Sequence, residues 1–366
     1  MIFKNKITKK LLKVIPGGSH TYSRGADTYP SNAPAILDRG KGVYVFDDKG
    51  KKYLDYGMGL RSINIGYSEN QINLAAIKGI QKGNNLTRPS IIELKAAELI
   101  TSLFKNVDMV KFTKNGSTAV TATVKLARAY TGKKIILRCA DHPFFSFDDW
   151  FIGSTKVPRG VTSETRKLTK QFKYNDIDSL KKQIKKYKNK IACVVLEPSS
   201  TSCPKINNND TDCCHKSKCD RDFKRKNHFL KEVQKLCNKN KIVFILDEMI
   251  TGFRWDIKGA QNFYNIKPDL STFGKAMANG FSVAAICGKR EIMELGSITN
   301  KKQEKVFLLS TTHGAEMNGL SAFIETVKFL KKNRVIKKNW DYGESLVNGA
   351  NKIAKKLKIN NYFYFS

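Results

Sequence analysis

Four short apolar runs, separated by sequence with helical character, constrain the fold of this chain more than any other feature. They are rich in Ile, Val and Leu, and they cover residues 134–138, 191–196, 241–246 and 283–287. Nearly continuous β-branched runs of this length are typical of strands that are buried on both faces of a sheet. Because strands that alternate with helices form mostly parallel sheets covered by helices on both sides, the sequence predicts an α/β fold.

Local patterns predict further elements. Apolar residues with helical spacing predict helices over 94–104 and 117–130. Nearer the N-terminus, alternating residues at 42–46 and 51–55 flank the turn sequence Asp-Asp-Lys-Gly at 47–50, and this pattern predicts a β-hairpin.

The chain is strongly basic, with 66 Lys and Arg against 32 Asp and Glu and a formal charge of +34. A charge of this size suggests a nucleic-acid or acidic-membrane partner. However, 53 of the 66 basic residues are Lys, whereas base and phosphate recognition favours the bidentate fork of Arg. The lysines are also scattered along the chain, so they are interpreted as a solvated surface and no nucleic-acid partner is expected.

The apolar fraction of 41% is sufficient for a large core and excludes a wholly disordered chain. No apolar run approaches the length of about 18 residues that a membrane-spanning helix needs, so no membrane partner is expected. The basic N-terminal segment lacks the apolar core and the cleavage site of a secretory signal. The eight Cys then indicate a reducing compartment with mostly free or metal-bound thiols, and a cytoplasmic protein is expected.

Ligand sites in a parallel sheet lie beyond the carboxyl ends of the strands, and reactive side chains of this sequence fall at those positions. Glu197 and Asp247 directly follow apolar runs, Lys275 lies among small residues, and a Gly-Ser-Thr turn at 116–118 opens a predicted helix. The amine can form a Schiff base, a carboxylate can hold a ring nitrogen protonated, and helix N-terminal amides can bind a phosphate. Together these groups fit pyridoxal phosphate (PLP).

Two longer motifs resemble a known family. Residues 247–254 read DEMITGFR and residues 271–280 read STFGKAMANG. Both are similar to the signatures of class III aminotransferases of PLP fold type I, and the nearest branch is glutamate-1-semialdehyde 2,1-aminomutase. The resemblance extends over nearly the whole chain, through residues 15–18, 40–44, 126–132, 196–198 and 311–316. It implies a mostly parallel sheet of the seven-stranded type with helices on both faces, and a small domain built from both ends of the chain.

The resemblance also implies roles for individual residues. Lys275 would hold PLP as a Schiff base and move protons, and Asp247 would pair with the pyridinium nitrogen; these two are the predicted catalytic residues. The remaining predicted cofactor contacts are a ring that stacks on PLP, three residues that bind its phosphate, and one that reaches the phosphate across the interface of a homodimer: Phe144; Gly116, Ser117 and Thr118; and Thr312.

Substrate contacts are predicted at Arg24 and Glu316. Arg24 falls where the aminomutase branch binds the substrate carboxylate, and a guanidinium forms a planar, bidentate clamp on such a group. The predicted substrate is therefore a small amino or keto acid. One departure concerns the cofactor: the family usually has His-Gly after the stacking aromatic residue, whereas Phe145 and Ser146 stand here.

The motifs divide the chain into three parts. Residues 1–65 are predicted to be the N-terminal segment of the small domain, residues 66–312 the large PLP-binding domain, and residues 313–366 the start of a C-terminal small domain. Because the family pattern continues beyond the last residue of this sequence, the C-terminal domain is expected to be truncated.

A Cys-rich stretch follows Glu197-Pro198, where the family has a short loop. Cys203, Cys213, Cys214 and Cys219 lie within 17 residues together with a His. Four thiolates of this kind can hold a tetrahedral zinc ion that staples a loop without catalysing a reaction. Free thiols on an insertion are the alternative, since the spacing is not that of paired CxxC motifs.

The sequence as a whole predicts a PLP-dependent enzyme that transfers an amino group on a carboxylate-bearing substrate. The most similar reaction converts glutamate-1-semialdehyde to 5-aminolevulinate, and Arg24 favours it. The changed residues at 145–146 and the early end of the chain favour a class III aminotransferase that acts on another amino or keto substrate. An inactive PLP-binding homologue and a basic binding module are the remaining alternatives.

Overall fold

The computed structural model describes residues 5–199, 202–206, 227–299 and 304–361, and a seven-stranded sheet lies at its centre. In spatial order its strands are β4 (Met109–Thr113), β10 (Ala284–Gly288), β9 (Leu270–Phe273), β8 (Val243–Asp247), β7 (Ile191–Leu196), β5 (Ile135–Cys139) and β6 (Thr169–Phe172). The pairs from β9 to β6 are parallel, while β10 lies antiparallel to both of its neighbours. The prediction of a mostly parallel, seven-stranded α/β sheet is confirmed.

A second, antiparallel sheet lies near the N-terminus and consists of β1 (Leu37–Lys41), β2 (Tyr44–Asp47) and β3 (Lys52–Leu54). Asp47 closes the turn between the last two strands, because its Oδ1 accepts hydrogen bonds from the amides of Lys49 at 3.0 Å and Lys51 at 2.8 Å. The predicted hairpin is confirmed. The division of the chain into three domain segments stays a prediction.

The described residues also form α-helices. They are α1 (Lys6–Val14), α2 (Met58–Arg61), α3 (Asn70–Gln81), α4 (Ile91–Leu103), α5 (Gly116–Thr131), α6 (Asp149–Ile152), α7 (Ser163–Leu168), α8 (Ile177–Lys186), α9 (Phe229–Lys239), α10 (Gly259–Phe263), α11 (Arg290–Met293), α12 (Met317–Lys332) and α13 (Val335–Lys356). α4 and α5 confirm the two helices predicted from apolar spacing. α2 is a single turn that contains left-handed residues. No helix among the described residues is long and apolar enough to cross a membrane.

The central strands are buried on both faces, which explains their continuous apolar runs. In β7, Cys193 and Val195 pack on the side of α5, while Val194 and Leu196 pack on the side of α8 and α9. Successive side chains of a strand point to opposite faces, so both sets must be apolar. The polar residues at the strand ends are therefore left as the groups able to do chemistry.

The structure does not support the predicted zinc ion. Cys203 is buried and disulfide-bonded, so it cannot serve as a thiolate ligand. Cys213, Cys214 and Cys219 lie outside the described residues. Within the described ranges, no group of three His, Cys, Asp or Glu side chains could hold a metal ion. The disulfide at Cys203 also contradicts the alternative of free thiols on the insertion, whereas Cys139, Cys193, Cys237 and Cys287, outside that stretch, are free and buried as expected.

Glu248 is a carboxylate buried completely in the sheet-helix interface. Its Oε2 accepts hydrogen bonds from the amide of Ala260 and from Thr251 Oγ1, and its Oε1 accepts one from the amide of Gln261. It therefore binds the first turn of α10 to the end of β8. Burial disfavours the charged form and raises the pKa of Glu248 from 4.5 to about 7, although these hydrogen bonds lower it.

α3 and α12 cross at very short distance, and Gly79 permits this contact. A Cβ atom at position 79 would lie 2.5 Å from the carbonyl oxygen of Met317 and 2.9 Å from Ser321 Oγ. The nearest atoms belong to a helix backbone, which cannot move without displacing α12.

We expect Gly79→Ala to destabilise the protein by about 1–3 kcal/mol, because the added methyl group overpacks the helix crossing. Helix propensity alone predicts that the substitution stabilises the protein, by up to about 1 kcal/mol. Gly343→Ala in α13 is the matched control, since no atom lies within 4 Å of a Cβ at that position. Urea unfolding measures both variants. Equal stabilisation of the two would contradict the close crossing.

We expect Glu248 to make the free energy of unfolding fall as the pH rises from about 4.5 to about 7. The folded state holds a proton on this carboxyl group that the unfolded chain has already lost, so each pH unit in this window favours unfolding. The full effect is about 3 kcal/mol at one pKa unit per 1.36 kcal/mol. Urea unfolding of wild type and Glu248→Gln across this range measures it, with the exposed Glu98→Gln as control. The same pH slope in all three proteins would exclude a titration at Glu248.

Candidate active site

Asp247 ends β8 and is buried, with 3% of its surface exposed. Its Oδ1 accepts hydrogen bonds from the amide of Met249 at 3.0 Å and from Thr272 Oγ1 at 2.9 Å. Thr272 lies directly beside it in the paired strand β9. Oδ2 accepts no hydrogen bond from any described residue, so the carboxylate is oriented through one oxygen while the other is available to a ligand.

Lys275 follows β9 and begins a short 3-10 turn, where its φ of 47° is left-handed. Burial raises the pKa of Asp247 to about 6, although the nearby Lys275 lowers it. Burial lowers the pKa of Lys275, and Asp247 and Glu197 partly reverse that effect. The structure therefore brings together the predicted amine and carboxylate. A lysine in this environment loses its proton more easily than a solvated one and becomes a nucleophile.

Met249 joins this pair to the first turn of α5. A Cβ atom at Gly116 would lie 2.8 Å from Met249 Sδ, and one at Gly274 would lie 2.6 Å from the same sulfur. An alanine at either position would force the Met249 side chain to move. The residue before Lys275 and the first residue of α5 are consequently held around one sulfur atom.

The N-terminus of α5 presents backbone amides. Asn115 Oδ1 caps the helix and accepts hydrogen bonds from the amide and the hydroxyl of Thr118, at 2.9 Å and 3.0 Å. The hydroxyl oxygen of Ser117 accepts a hydrogen bond from the amide of Phe147. The amides of Gly116 and Ser117 donate to no described residue. A phosphate at this position would therefore meet free helix amides, while the Thr118 hydroxyl already has a partner.

The segment after β5 distinguishes Phe144 from its neighbours. Phe144 is 53% exposed, and its ring packs against that of Phe151 in a T-shaped arrangement at a centroid distance of 5.7 Å. Phe145 and Ser146 are buried. Ser146 Oγ lies within hydrogen-bond distance of Asp148 Oδ2, at 3.0 Å. The residues that replace His-Gly therefore serve packing, and the stacking role of Phe144 stays a prediction.

His142 belongs to the same region and was missed by the sequence analysis. Its Nδ1 accepts a hydrogen bond from the amide of Glu197 at 3.0 Å, and its ring lies 5.0 Å from that of Tyr174. Burial lowers the pKa of His142 to about 4, so the ring is neutral at physiological pH. It fixes the backbone of Glu197, whose charge acts on Lys275. Its position three residues after the end of an apolar strand, where ligand sites are expected, could have identified it from the sequence.

Two arginines also act on Lys275, and the sequence analysis assigned a role to neither. Arg254 and Arg61 each lower the pKa of Lys275 through their positive charge. Arg254 is largely buried, and burial lowers its own pKa to about 10. Because Arg254 is the last residue of the DEMITGFR motif, the sequence could have identified it as a site residue. Arg61 lies outside every quoted motif.

The other predicted residues are placed separately from the Asp247–Lys275 pair. Arg24 is exposed, and its charge acts on the phenol of Tyr67. Thr312 is exposed, and its carbonyl oxygen accepts a hydrogen bond from Asn85 Nδ2 at 3.0 Å. The roles predicted for Arg24 and Thr312 stay predictions.

Glu316 has two partners already. Its Oε2 forms an ion pair with Lys114 Nζ at 2.5 Å, and its Oε1 lies 2.7 Å from His313 Nδ1. Lys114 directly precedes the cap of α5, so Glu316 lies beside the first turn of that helix. This geometry favours a structural contact, and the predicted contact of Glu316 with substrate stays untested.

The donor set fits PLP. Asp247 Oδ2 can accept a hydrogen bond from a protonated ring nitrogen, the amine of Lys275 lies within electrostatic range of that carboxylate, and the free amides of Gly116 and Ser117 suit a phosphate. Met249 holds the two glycine-containing turns together. Lys275 forms no ion pair with a described residue, so its amine is available to the cofactor.

Comparison with known proteins identifies the family. The model of the aminotransferase class-III family matches residues 26–203 and 222–361. Glutamate-1-semialdehyde 2,1-aminomutase of Alkaliphilus metalliredigens is 32% identical over 99% of this chain and 80% of its own length. 3-Aminobutyryl-CoA aminotransferase of Cloacimonas acidaminovorans is 31% identical over 88% of this chain and 72% of its own length.

The fold comparison agrees. The PLP internal aldimine form of the FumI protein from Sphingopyxis sp. MTA144 superposes with a TM-score of 0.79 at 24% identity, and the match covers 96% of this chain and 78% of that one. The resemblance read from the motifs is thereby confirmed, as is the predicted PLP-dependent enzyme class. The chain belongs to the class III family of PLP-dependent aminotransferases.

Proposed function

We propose that this enzyme transfers an amino group on a carboxylate-bearing substrate, in a reaction most like the conversion of glutamate-1-semialdehyde to 5-aminolevulinate. The observation that carries the chemistry is the buried pair of Asp247 and Lys275 beside the N-terminus of α5. The choice of substrate is supported by the aminomutase relative, which is 32% identical over nearly the whole chain, and by the exposed guanidinium of Arg24.

When bound, PLP supplies an electron sink that stabilises negative charge at the substrate carbon bearing nitrogen. Asp247 would keep the ring nitrogen of the cofactor protonated, and Thr272 and the Met249 amide hold the Asp247 carboxylate in place. Lys275 Nζ would hold the cofactor and would move a proton at the reacting carbon. Burial lowers the pKa of Lys275, which favours the unprotonated amine that such a base needs.

The remaining contacts complete this proposal. The amides of Gly116 and Ser117 would bind the phosphate, together with Thr312 from the other subunit of a homodimer. Thr118 would join them by giving up one of its hydrogen bonds to Asn115. Phe144 stacks on the ring, which suits its exposed face. Arg24 binds the substrate carboxylate. A homodimer and a cytoplasmic location belong to the proposal as well.

A two-substrate aminotransferase is the second candidate. Phe145 and Ser146 stand where the family usually has His-Gly, and both are buried, with Ser146 Oγ donating a hydrogen bond to the carbonyl oxygen of Ser117 in α5. This departure favours a specialised aminotransferase. A relative of similar identity is 3-aminobutyryl-CoA aminotransferase. Such an enzyme would release a keto product and need a second substrate.

We expect borohydride to trap PLP on wild-type protein and on Lys267→Ala, but not on Lys275→Ala. Reduction converts the Schiff base with a lysine amine into a stable bond, and Lys275 is the buried amine beside Asp247. Intact mass measurement reads out the adduct. Lys267 is a suitable control because it lies before β9, at the opposite end of that strand from Lys275. An adduct of equal yield in Lys275→Ala would refute the assignment.

We expect wild-type enzyme to convert glutamate-1-semialdehyde to 5-aminolevulinate without any second substrate. The amino group stays within one molecule in this isomerisation, so added keto acids do not change the yield. Product formation is followed by derivatisation of 5-aminolevulinate. Formation of a keto product that requires an added amino acceptor would instead identify the two-substrate aminotransferase. Trapped PLP without either activity would identify an inactive homologue.

A further inference from the structure

α2 is a left-handed turn of consecutive residues. Met58, Gly59, Leu60 and Arg61 have φ values of 42°, 59°, 57° and 65°. Three of them carry side chains, and L-residues with side chains rarely adopt this conformation because Cβ crowds the following carbonyl oxygen. Such a turn persists only where the surrounding structure determines it, and turns of this kind are frequent at ligand sites.

Arg254 fixes this turn from one side. Its Nη2 donates hydrogen bonds to the carbonyl oxygens of Arg61 and, at 3.4 Å, of Ile63, while its Nη1 donates to that of Ile250 at 2.9 Å. The guanidinium thus connects the end of α2 to the segment that follows β8. Among the described residues, Arg254 has carbonyl oxygens and no carboxylate as hydrogen-bond partners.

Asn279 fixes the residues after the turn. Its Oδ1 accepts hydrogen bonds from the amides of Asn64 and Ile65, both at 3.1 Å, and its Nδ2 donates to the carbonyl oxygen of Gly66 at 3.0 Å. Asn279 is buried and lies four residues after Lys275. The segment that carries Arg61 is therefore attached to the same short turn that positions the reactive amine.

These hydrogen bonds involve the backbone near Arg61, so the Arg61 side chain is available to bind a ligand. The residue is exposed, and its guanidinium forms no ion pair or hydrogen bond with a described residue. Its positive charge nevertheless reaches Lys275. A rigidly held backbone with a solvated, unpaired guanidinium beside a reactive amine is suited to binding an anion, because a planar carboxylate accepts two hydrogen bonds from the fork.

We propose that Arg61 is a second contact to the substrate carboxylate, in addition to Arg24, and acts as a specificity-determining residue, with Arg254 and Asn279 as the positioning residues that hold its turn. The inference rests on the proposed function, since it names the group that selects the substrate at the same site. Arg61 adds a cationic contact on the side of the site formed by residues 57–66.

The experiment measures binding of glutarate, a dicarboxylate without an amine, by calorimetry with and without added PLP. We expect Arg61→Met to weaken glutarate binding about 10- to 100-fold, the range expected for loss of a hydrogen bond to a charged group. Arg61→Lys keeps the charge but loses the fork, so its affinity lies between the two. With glutamate-1-semialdehyde as substrate, KM rises in Arg61→Met by a similar factor, while kcat changes much less.

Arg290→Met is the matched control. Arg290 follows β10, which runs antiparallel to β9, so it lies at the edge of the sheet opposite Lys275. We expect its glutarate affinity to equal that of wild type. Arg61→Met should also retain the wild-type melting temperature and yield of borohydride-trapped PLP, because the turn is held through the backbone of residue 61 and not through its side chain.

Three outcomes would overturn the assignment. They are wild-type glutarate affinity in Arg61→Met, an equal loss in the Arg290→Met control, and a loss of glutarate binding that is confined to Arg24→Met. Failure of the proposed function is recognised separately, as absence of trapped PLP in wild type. Glutarate calorimetry on the protein without PLP still decides the role of Arg61 in that case.

Discussion

Desolvation of two opposite charges at the end of a buried strand is the constraint on which the rest of the site depends. β8 is buried along its whole length, and Asp247 ends it at 3% exposure. An isolated carboxylate there would take up a proton, and an isolated Lys275 would lose one. Each group favours the charged form of the other, and the hydrogen bonds of Thr272 and the Met249 amide further stabilise the Asp247 carboxylate.

Asp247, the last residue of β8, and Glu248, which follows it, serve different sides of the sheet. Successive side chains alternate in direction, so Asp247 and Glu248 cannot point to the same place. Asp247 lies with Thr272 and Lys275, whereas Glu248 holds the amides at the start of α10. Since α10 is anchored in this way, the segment 249–254, which lies between the end of β8 and α10, is held at both ends. Met249 and Arg254 then reach the α5 turn and α2 from a rigid base.

Elements and residues whose roles depend on neighbours along the chain could be predicted from the sequence, whereas residues that act through distant partners were missed. Buried strands, the hairpin and the two glycine turns follow from local pattern, and Asp247 and Lys275 follow from strand ends and motif resemblance. Arg61 and Asn279 act through residues about 190 and 215 positions away. No local pattern records such pairing. His142 was missed similarly, because its partner is the amide of Glu197, 55 residues later.

The large positive charge of the chain and the positive charge of its site have different physical origins. Most lysines are solvated, so their fields are screened over about 8–10 Å at physiological salt. Arg254 is held by carbonyl oxygens alone among the described residues, and Arg61 has no ion-pair partner there, so neither charge is cancelled locally. These two guanidinium groups bring positive charge near Lys275, where Asp247 and Glu197 contribute negative charge, and this local balance does not depend on the bulk charge. The positive charge of the guanidinium groups suits a ligand set in which both the cofactor phosphate and the substrate carboxylate are negative.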